Sequence, residues 1–184
     1  MKYDVRNDEI GIAYFGFNNK PCLNADSIAV KTLKFDQKKN LIEVSYFGVD
    51  SKPCLDKEGV AKATLKYDSR RNCIEVSYSN LEGKLCLRKD GYAIRREKYD
   101  TRNNPIEVVY FGIEDHPCLI KDGYSKCILK YDDRNNNIEI AYFNIENDLT
   151  LSRTKGFAKK ILEYDERRNL IKETKYDASG SAIK

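Results

Sequence analysis

The stretch Ala61-Lys-Ala-Thr-Leu-Lys-Tyr-Asp-Ser-Arg-Arg-Asn-Cys-Ile-Glu-Val-Ser-Tyr78 decides the fold. Ala61, Ala63, Leu65 and Tyr67 alternate with Lys62, Thr64 and Lys66, and further on Ile74, Val76 and Tyr78 alternate with Glu75 and Ser77. Successive strand side chains point to opposite faces, so a period of two marks two half-buried strands. Asp68-Ser-Arg-Arg-Asn72 between them reads as a turn. Asp accepts bonds from amides just ahead of it, and Asn tolerates left-handed φ/ψ. A four-residue loop from Ser69 to Asn72 predicts that Asp68 faces Cys73, Lys66 faces Glu75 and Leu65 faces Val76.

The same stretch recurs along the whole chain. An aromatic-Asp pair stands at Tyr3-Asp4, Phe35-Asp36, Tyr67-Asp68, Tyr99-Asp100, Tyr131-Asp132 and Tyr164-Asp165, with spacings of 32, 32, 32, 32 and 33 residues. The outward pair of the hairpin recurs as Lys34 with Glu43, Lys98 with Glu107 and Lys130 with Glu139, and both signs swap together at Glu163 with Lys172. Opposite charges across an antiparallel pair stabilise it by roughly 0.2–1 kcal/mol and like charges cost a similar amount, so a concerted swap fits direct pairing.

A shorter third strand is expected at Pro21-Cys22-Leu23, Pro53-Cys54-Leu55 and Pro117-Cys118-Leu119, with Leu85-Cys86-Leu87 and Leu149-Thr150-Leu151 as variants. Proline has no amide donor and suits a strand start or an edge. Glu58-Gly59, Asp90-Gly91 and Asp122-Gly123 then supply turns in which glycine takes positive φ. The expectation is an all-β chain of tandem 32-residue repeats forming a continuous antiparallel β-meander, elongated or curled, with a β-propeller as the alternative. It is read as one tandem-repeat domain, 1–184, with units 1–33, 34–65, 66–97, 98–129, 130–162 and a partial unit 163–184. That last unit carries Glu173 and Lys175 at inward positions, as a capping repeat would.

Composition narrows function. In 184 residues, 33 Lys and Arg against 29 Asp and Glu give 33 − 29 = +4, without the charge blocks of nucleic-acid binders. No run of apolar residues is long enough to span a membrane as a helix. No apolar leader follows Met1-Lys2, so a cytoplasmic location with reduced cysteines is expected. Of the six cysteines, Cys22, Cys54, Cys86 and Cys118 recur at the repeat spacing and Cys73 and Cys127 stand alone. Without a C-x-x-C pair they read as small buried side chains, held apart by about 14 Å if each unit has three strands. The only histidine, His116, occupies a loop position filled elsewhere by Lys20, Lys52, Lys84 and Asp148. Asp100…Asn104 and Asp132…Asn136 recur as a calcium loop might, but Arg102 and Arg134 inside the turns oppose a cation. With no nucleophile–base pair, phosphate loop or metal constellation, no catalytic residue, metal ligand or cofactor is assigned.

The Tyr164-Asp-Glu-Arg-Arg-Asn-Leu170 hairpin resembles the YD repeats of bacterial RHS-type proteins. The resemblance covers the first half of every unit. The usual loop glycine is replaced by Asn7, Lys39, Arg71, Asn103, Asn135 or Arg168. It implies a long antiparallel sheet and, as one functional reading, an accessory or shell module of a larger toxin or effector.

The other reading is a non-enzymatic scaffold that binds another macromolecule, protein before nucleic acid. Its candidate binding residues are Phe15, Phe47, Phe111 and Phe143, which follow the inward Tyr and so share a face with Glu43 and Glu107. Either a curled sheet covers these rings or they form an exposed aromatic ladder.

Overall fold

The structure is a computed structural model that describes residues 2–3 and 9–183. Asp4 and Asn7, in the first predicted turn, lie outside the described residues. The strands are β1 (Lys2–Tyr3), β2 (Glu9–Ala13), β3 (Val30–Phe35), β4 (Leu41–Phe47), β5 (Lys62–Tyr67), β6 (Cys73–Ser79), β7 (Ile94–Tyr99), β8 (Pro105–Phe111), β9 (Lys126–Tyr131), β10 (Asn137–Phe143), β11 (Lys159–Tyr164), β12 (Leu170–Tyr176) and β13 (Ala182–Ile183). Their order in the sheet is their order in sequence, which is an open meander and not a set of propeller blades. The contacts divide the chain into two compact units, Met1–Ile94 and Arg95–Lys184.

The hairpin register agrees with the sequence except at its tip. Lys66 faces Glu75 and Leu65 faces Val76, but Tyr67, not Asp68, faces Cys73, across a bulge between Lys66 and Tyr67. The bulge has a local cause. Arg71 N–H donates to Asp68 O at 3.1 Å and Asp68 N–H to Asn72 O at 3.0 Å, while Arg71 takes φ +72°. A tight turn followed by one left-handed residue puts an extra residue on one strand. The left-handed residue is therefore Arg71 and not Asn72. Asn72 instead ties the turn together through Asp68, its amide bonding Oδ1 at 2.8 Å and its Nδ2 bonding Oδ2 at 2.9 Å. Lys39, Asn103, Asn135 and Arg168 repeat the positive φ.

The expected third strand does not form. Pro53 makes one isolated bridge with Phe47, and the equivalent residues do the same with Phe15, Ser79, Phe111 and Phe143. Only Pro53, Cys54 and Leu55 separate the turn closed by Gly48 N–H to Lys52 O from the one closed by Asp56 N–H to Val60 O. Three residues between two tight turns leave no length for a ladder, so each repeat adds two strands instead of three.

The buried apolar residues lie on the strands and on the residues that lead from each connecting turn into the next strand. In the first unit Ile28, Ala29, Val60, Ala61 and Ala63 are buried with Val76, and Tyr92 meets Tyr78 edge to face at 5.8 Å. In the second unit Cys127, Tyr142 and Phe157 form a cluster with Val108, Tyr124, Leu129 and Ile140 around it. Its rings run Tyr110–Tyr124 (5.8 Å), Tyr124–Tyr142 (4.6 Å) and Tyr142–Phe157 (5.7 Å). Edge-on and tilted pairs of this kind contribute about 0.5–1.5 kcal/mol beyond area burial. Glu173, at an inward position, pairs with Lys160 and Lys175 at 3.2 Å each, and both ammonium groups lie within 6 Å of the Phe157 ring.

Consecutive repeats also join through their turns. Lys57 N–H donates to Asp26 O at 2.8 Å and Lys89 N–H to Glu58 O at 3.0 Å in the first unit, and Arg153 N–H to Asp122 O at 2.9 Å in the second. At the hairpin tips Arg71 Nε donates to Asn40 Oδ1 at 2.9 Å, and Asn104 Nδ2 donates to Asn135 Oδ1.

Candidate binding surface

Phe47, Phe111 and Phe143 end β4, β8 and β10 and sit as the strand parity requires, whereas Phe15 lies beyond β2. Phe47 is paired with Val30 and lies two steps of two beyond Glu43, whose carboxylate meets Lys34 at 2.7 Å. Phe15 is 60% exposed, and Phe47, Phe111 and Phe143 are half-buried. Cations provide cover in the second unit. The Arg96 guanidinium lies 4.5 Å from the centre of the Phe111 ring and is held there by Asp115 at 2.7 Å. Lys126 Nζ lies 5.0 Å from the Phe143 ring and bonds Asn147 Oδ1. Asp115 and Asn147 are both left-handed turn residues, so the turn that follows each phenylalanine supplies the clamp for its lid.

Two further apolar rows escaped the sequence reading. Phe17, Val49 and Leu81 in the first unit, and Ile113 and Ile145 in the second, occupy the second position of the turn after Phe15, Phe47, Ser79, Phe111 and Phe143 respectively. Their exposure runs from 44% at Ile145 to complete at Phe17. The second row is Leu23, Leu55 and Leu87 in the first unit and Leu119 and Leu151 in the second, all exposed. Turn geometry explains the first row, because the Cβ at that position points away from the hairpin. The signal was in the repeat alignment: an apolar residue recurring every 32 positions at a place that a turn puts in water. In the first unit Leu81 closes a shallow cleft of about 180 Å³ with Phe47, Pro53 and Lys62. This cleft joins the turn row to the phenylalanine face.

The other candidates resolve into structural roles. His116 is exposed in its turn, where its carbonyl accepts from Gly112 N–H at 2.9 Å. Among the described residues no three His, Cys, Asp or Glu side chains come together to hold a metal ion. The turn aspartates are already filled with donors. Asp68 Oδ1 accepts from Arg70 N–H and Asn72 N–H, and Asn72 Nδ2 occupies Oδ2. Hydrogen bonding, led by Asn72, Asn104, Asn136 or Asn169 in its own turn, holds each of Asp68, Asp100, Asp132 and Asp165 below the usual carboxylate range.

All six cysteines are free thiols. Cys127 alone is buried, and Cys22, Cys54, Cys86 and Cys118 are half-buried, contrary to the expectation of four interior side chains. They lie on the short returning segment, covered from one side only. Burial pushes Cys127 up to about 12 and raises Cys54, Cys86 and Cys118, so none of these four is an activated thiolate. Tyr46 and Tyr142 are likewise raised by burial to about 12 and stay neutral near pH 7.

Arg88 is a departure from the repeat that the sequence reading passed over. It stands where other units have Asn24, Asp56, Ile120 and Ser152. Its guanidinium lies 5.1 Å from the Tyr78 ring and 5.4 Å from the Tyr92 ring. Nη1 donates to both hydroxyls, and Nη2 pairs with Glu58 at 3.1 Å and Asp90 at 3.4 Å. Every one of those contacts braces the fold, so it is a structural residue.

No protein-family model matches this chain, and no curated protein does either. Among solved structures it is similar to a chain in the crystal structure of TcdB2-TccC3-Cdc42, at 16% identity and a TM-score of 0.34, covering 79% of this chain and 7% of that one. A chain in the crystal structure of TcdB2-TccC3 without its hypervariable C-terminal region gives 12% identity and a TM-score of 0.43, covering 94% of this chain and 9% of that one. This chain therefore spans less than a tenth of either neighbour, and its fold assignment stands on its own strand pairing.

Proposed function

We propose that this chain is a non-enzymatic repeat scaffold that binds another protein along its repeating β surface. The observation that carries the reading is the turn row: Phe17, Val49 and Leu81 in one unit, Ile113 and Ile145 in the other, left in water at the same place in successive repeats. Scattered exposed apolar side chains are ordinary, but a regular exposed array marks an interaction surface. Phe15, Phe47, Phe111 and Phe143 form the adjoining part of that surface. Protein is preferred to nucleic acid because the row is mainly aliphatic and offers little for base stacking.

The test compares proteins captured from the source organism's lysate by the native chain, by a Phe17→Ser/Val49→Ser/Leu81→Ser variant, and by one with Ser at the four phenylalanines. Mass spectrometry should find a partner held by the native chain and lost by the folded turn variant. Identical captures by native and turn variant refute the surface. A second reading, a module of a longer RHS-like protein, is favoured by one observation. The residue that replaces the YD-repeat glycine has positive φ in every described hairpin, at Lys39, Arg71, Asn103, Asn135 and Arg168. A parent reading frame that continues into further repeats or a catalytic domain supports it.

A further inference from the structure

The connection at Ser152–Phe157 breaks the repeat. Its predecessors read Asp56-Lys-Glu-Gly59, Arg88-Lys-Asp-Gly91 and Ile120-Lys-Asp-Gly123, each balancing a lysine with an acid, whereas this one reads Ser152-Arg-Thr-Lys-Gly156. It is one residue longer, and the acid has given way to a second cation. The turn is locked onto its neighbour through Asp122. Ser152 Oγ and Thr154 N–H each donate to that carboxylate at 2.6 Å, Arg153 N–H donates to Asp122 O, and Arg153 Nη1 donates to Lys121 O at 3.0 Å. Ser152 is fully buried, and the Arg153 side chain lies so close over Gly123 that a Cβ there would meet its Nε at 3.2 Å.

This locking has an electrostatic result. The one carboxylate of the ridge, Asp122, is occupied by hydroxyl and amide donors, and Lys155 attracts it only through space. Lys121, Arg153 and Lys155 are exposed and, among the described residues, form no ion pair. Leu119 and Leu151, which lead into the two turns, are exposed beside them. The Arg153 guanidinium, already held by Lys121 O, loses little freedom when a ligand arrives, which lowers the cost of binding. Aliphatic neighbours and only three cations suit a peptide with carboxylates and apolar anchors better than a phosphate backbone, which needs more charges and stacking rings.

We propose that the ridge formed by Leu119, Lys121, Leu151, Arg153 and Lys155 docks an acidic peptide segment of a partner protein, with apolar side chains on the leucines and carboxylates on the cations. The proposal rests on the protein-binding reading and names the chemistry of the partner. It is tested by fluorescence anisotropy of the full chain with a labelled Glu/Leu peptide, a Lys/Leu peptide, a Glu/Ser peptide and a single-stranded oligonucleotide. The Glu/Leu peptide should bind, the Lys/Leu peptide should not, and the Glu/Ser peptide should bind about tenfold more weakly or worse. Lys121→Glu with Lys155→Glu should weaken the Glu/Leu complex by about tenfold or more with the melting curve unchanged. Leu119→Ser with Leu151→Ser should act in the same direction, independently of charge.

Unchanged affinity in both double variants overturns the proposal, as does preference for the oligonucleotide. No binding of any peptide by the native chain also overturns it, and lysate capture then judges the scaffold reading separately. Binding lost in the Phe17/Val49/Leu81 variant but kept in the Lys121/Lys155 variant overturns this ridge and leaves the scaffold reading standing.

Discussion

Replacing Arg168 by glycine isolates what the repeat gives up by carrying no glycine at its hairpin tips. Arg168 sits at φ +66° in an exposed turn, where a residue with a Cβ costs about 1–2 kcal/mol. Glycine relieves that strain but returns roughly 0.5–1 kcal/mol through the greater freedom of the unfolded chain. The net expectation is a stabilisation of about 0.5–1 kcal/mol. Arg168→Ala is the control, since it removes the same charge and the same long side chain yet keeps the Cβ. Glycine should therefore exceed alanine by about 1 kcal/mol, while alanine stays close to the native chain. Urea melts followed by far-UV circular dichroism read the difference in the midpoint, and a slope of about 2 kcal/mol per molar turns the predicted gap into roughly 0.5 M. Repeat arrays can unfold unit by unit, so hydrogen exchange of the β11–β12 hairpin amides should show the same ordering locally. A glycine variant no more stable than the alanine variant refutes the argument from backbone strain.

Three other outcomes follow from the geometry. Glu75→Lys should destabilise the β5–β6 hairpin and Lys66→Glu added to it should restore part of the loss, with a coupling of about 0.2–1 kcal/mol; the native pair stands at 2.7 Å, and zero coupling contradicts it. Thiol titration of protein purified without reductant should find six free cysteines after denaturation, with Cys127 the slowest to react before it, and fewer than six contradict a reduced chain. The turn aspartates have folded-state pKa values below the unfolded value of about 3.9, so their contribution is complete above that pH and is lost as pH falls through the folded values. Acid titration should show stability flat from pH 7 to about 5 and falling below 4, with a shallower fall in Asp68→Asn. An unchanged acid limb in that variant removes the turn carboxylate from the explanation.

What the sequence made legible was governed by local rules. Period-two alternation and the charge swap at Glu163 and Lys172 fixed the register of each hairpin, since both act between residues only a few positions apart. The bulge was missed because counting loop residues cannot distinguish Arg71 from Asn72 as the left-handed one, and Asn is the residue type expected there. The third strand was over-read because Pro-Cys-Leu has strand composition, while two flanking turns deny it length. Parity sets Phe47 on the face of Glu43 within β4 and Phe111 on the face of Glu107 within β8. Of the cover over this face, the predicted register already sets Lys126 opposite Phe143, whereas the hold on the lids was not visible, because it comes from the turn residues Asp115 and Asn147. The exposed apolar turn row is invisible to period-two alternation, which reports on strands and not on turns.

The main-chain bonds between successive connections, Lys57 N–H to Asp26 O, Lys89 N–H to Glu58 O and Arg153 N–H to Asp122 O, ask nothing of the side chains at those positions. The opening residue of the same connection varies from Asn24 and Asp56 to Arg88 and Ile120 while the backbone course is kept. Mortar and lettering are thus separate in this protein. A unit can be rewritten on its water-facing positions with the masonry between units left as it was, so the surface of such an array can change without changing how it folds.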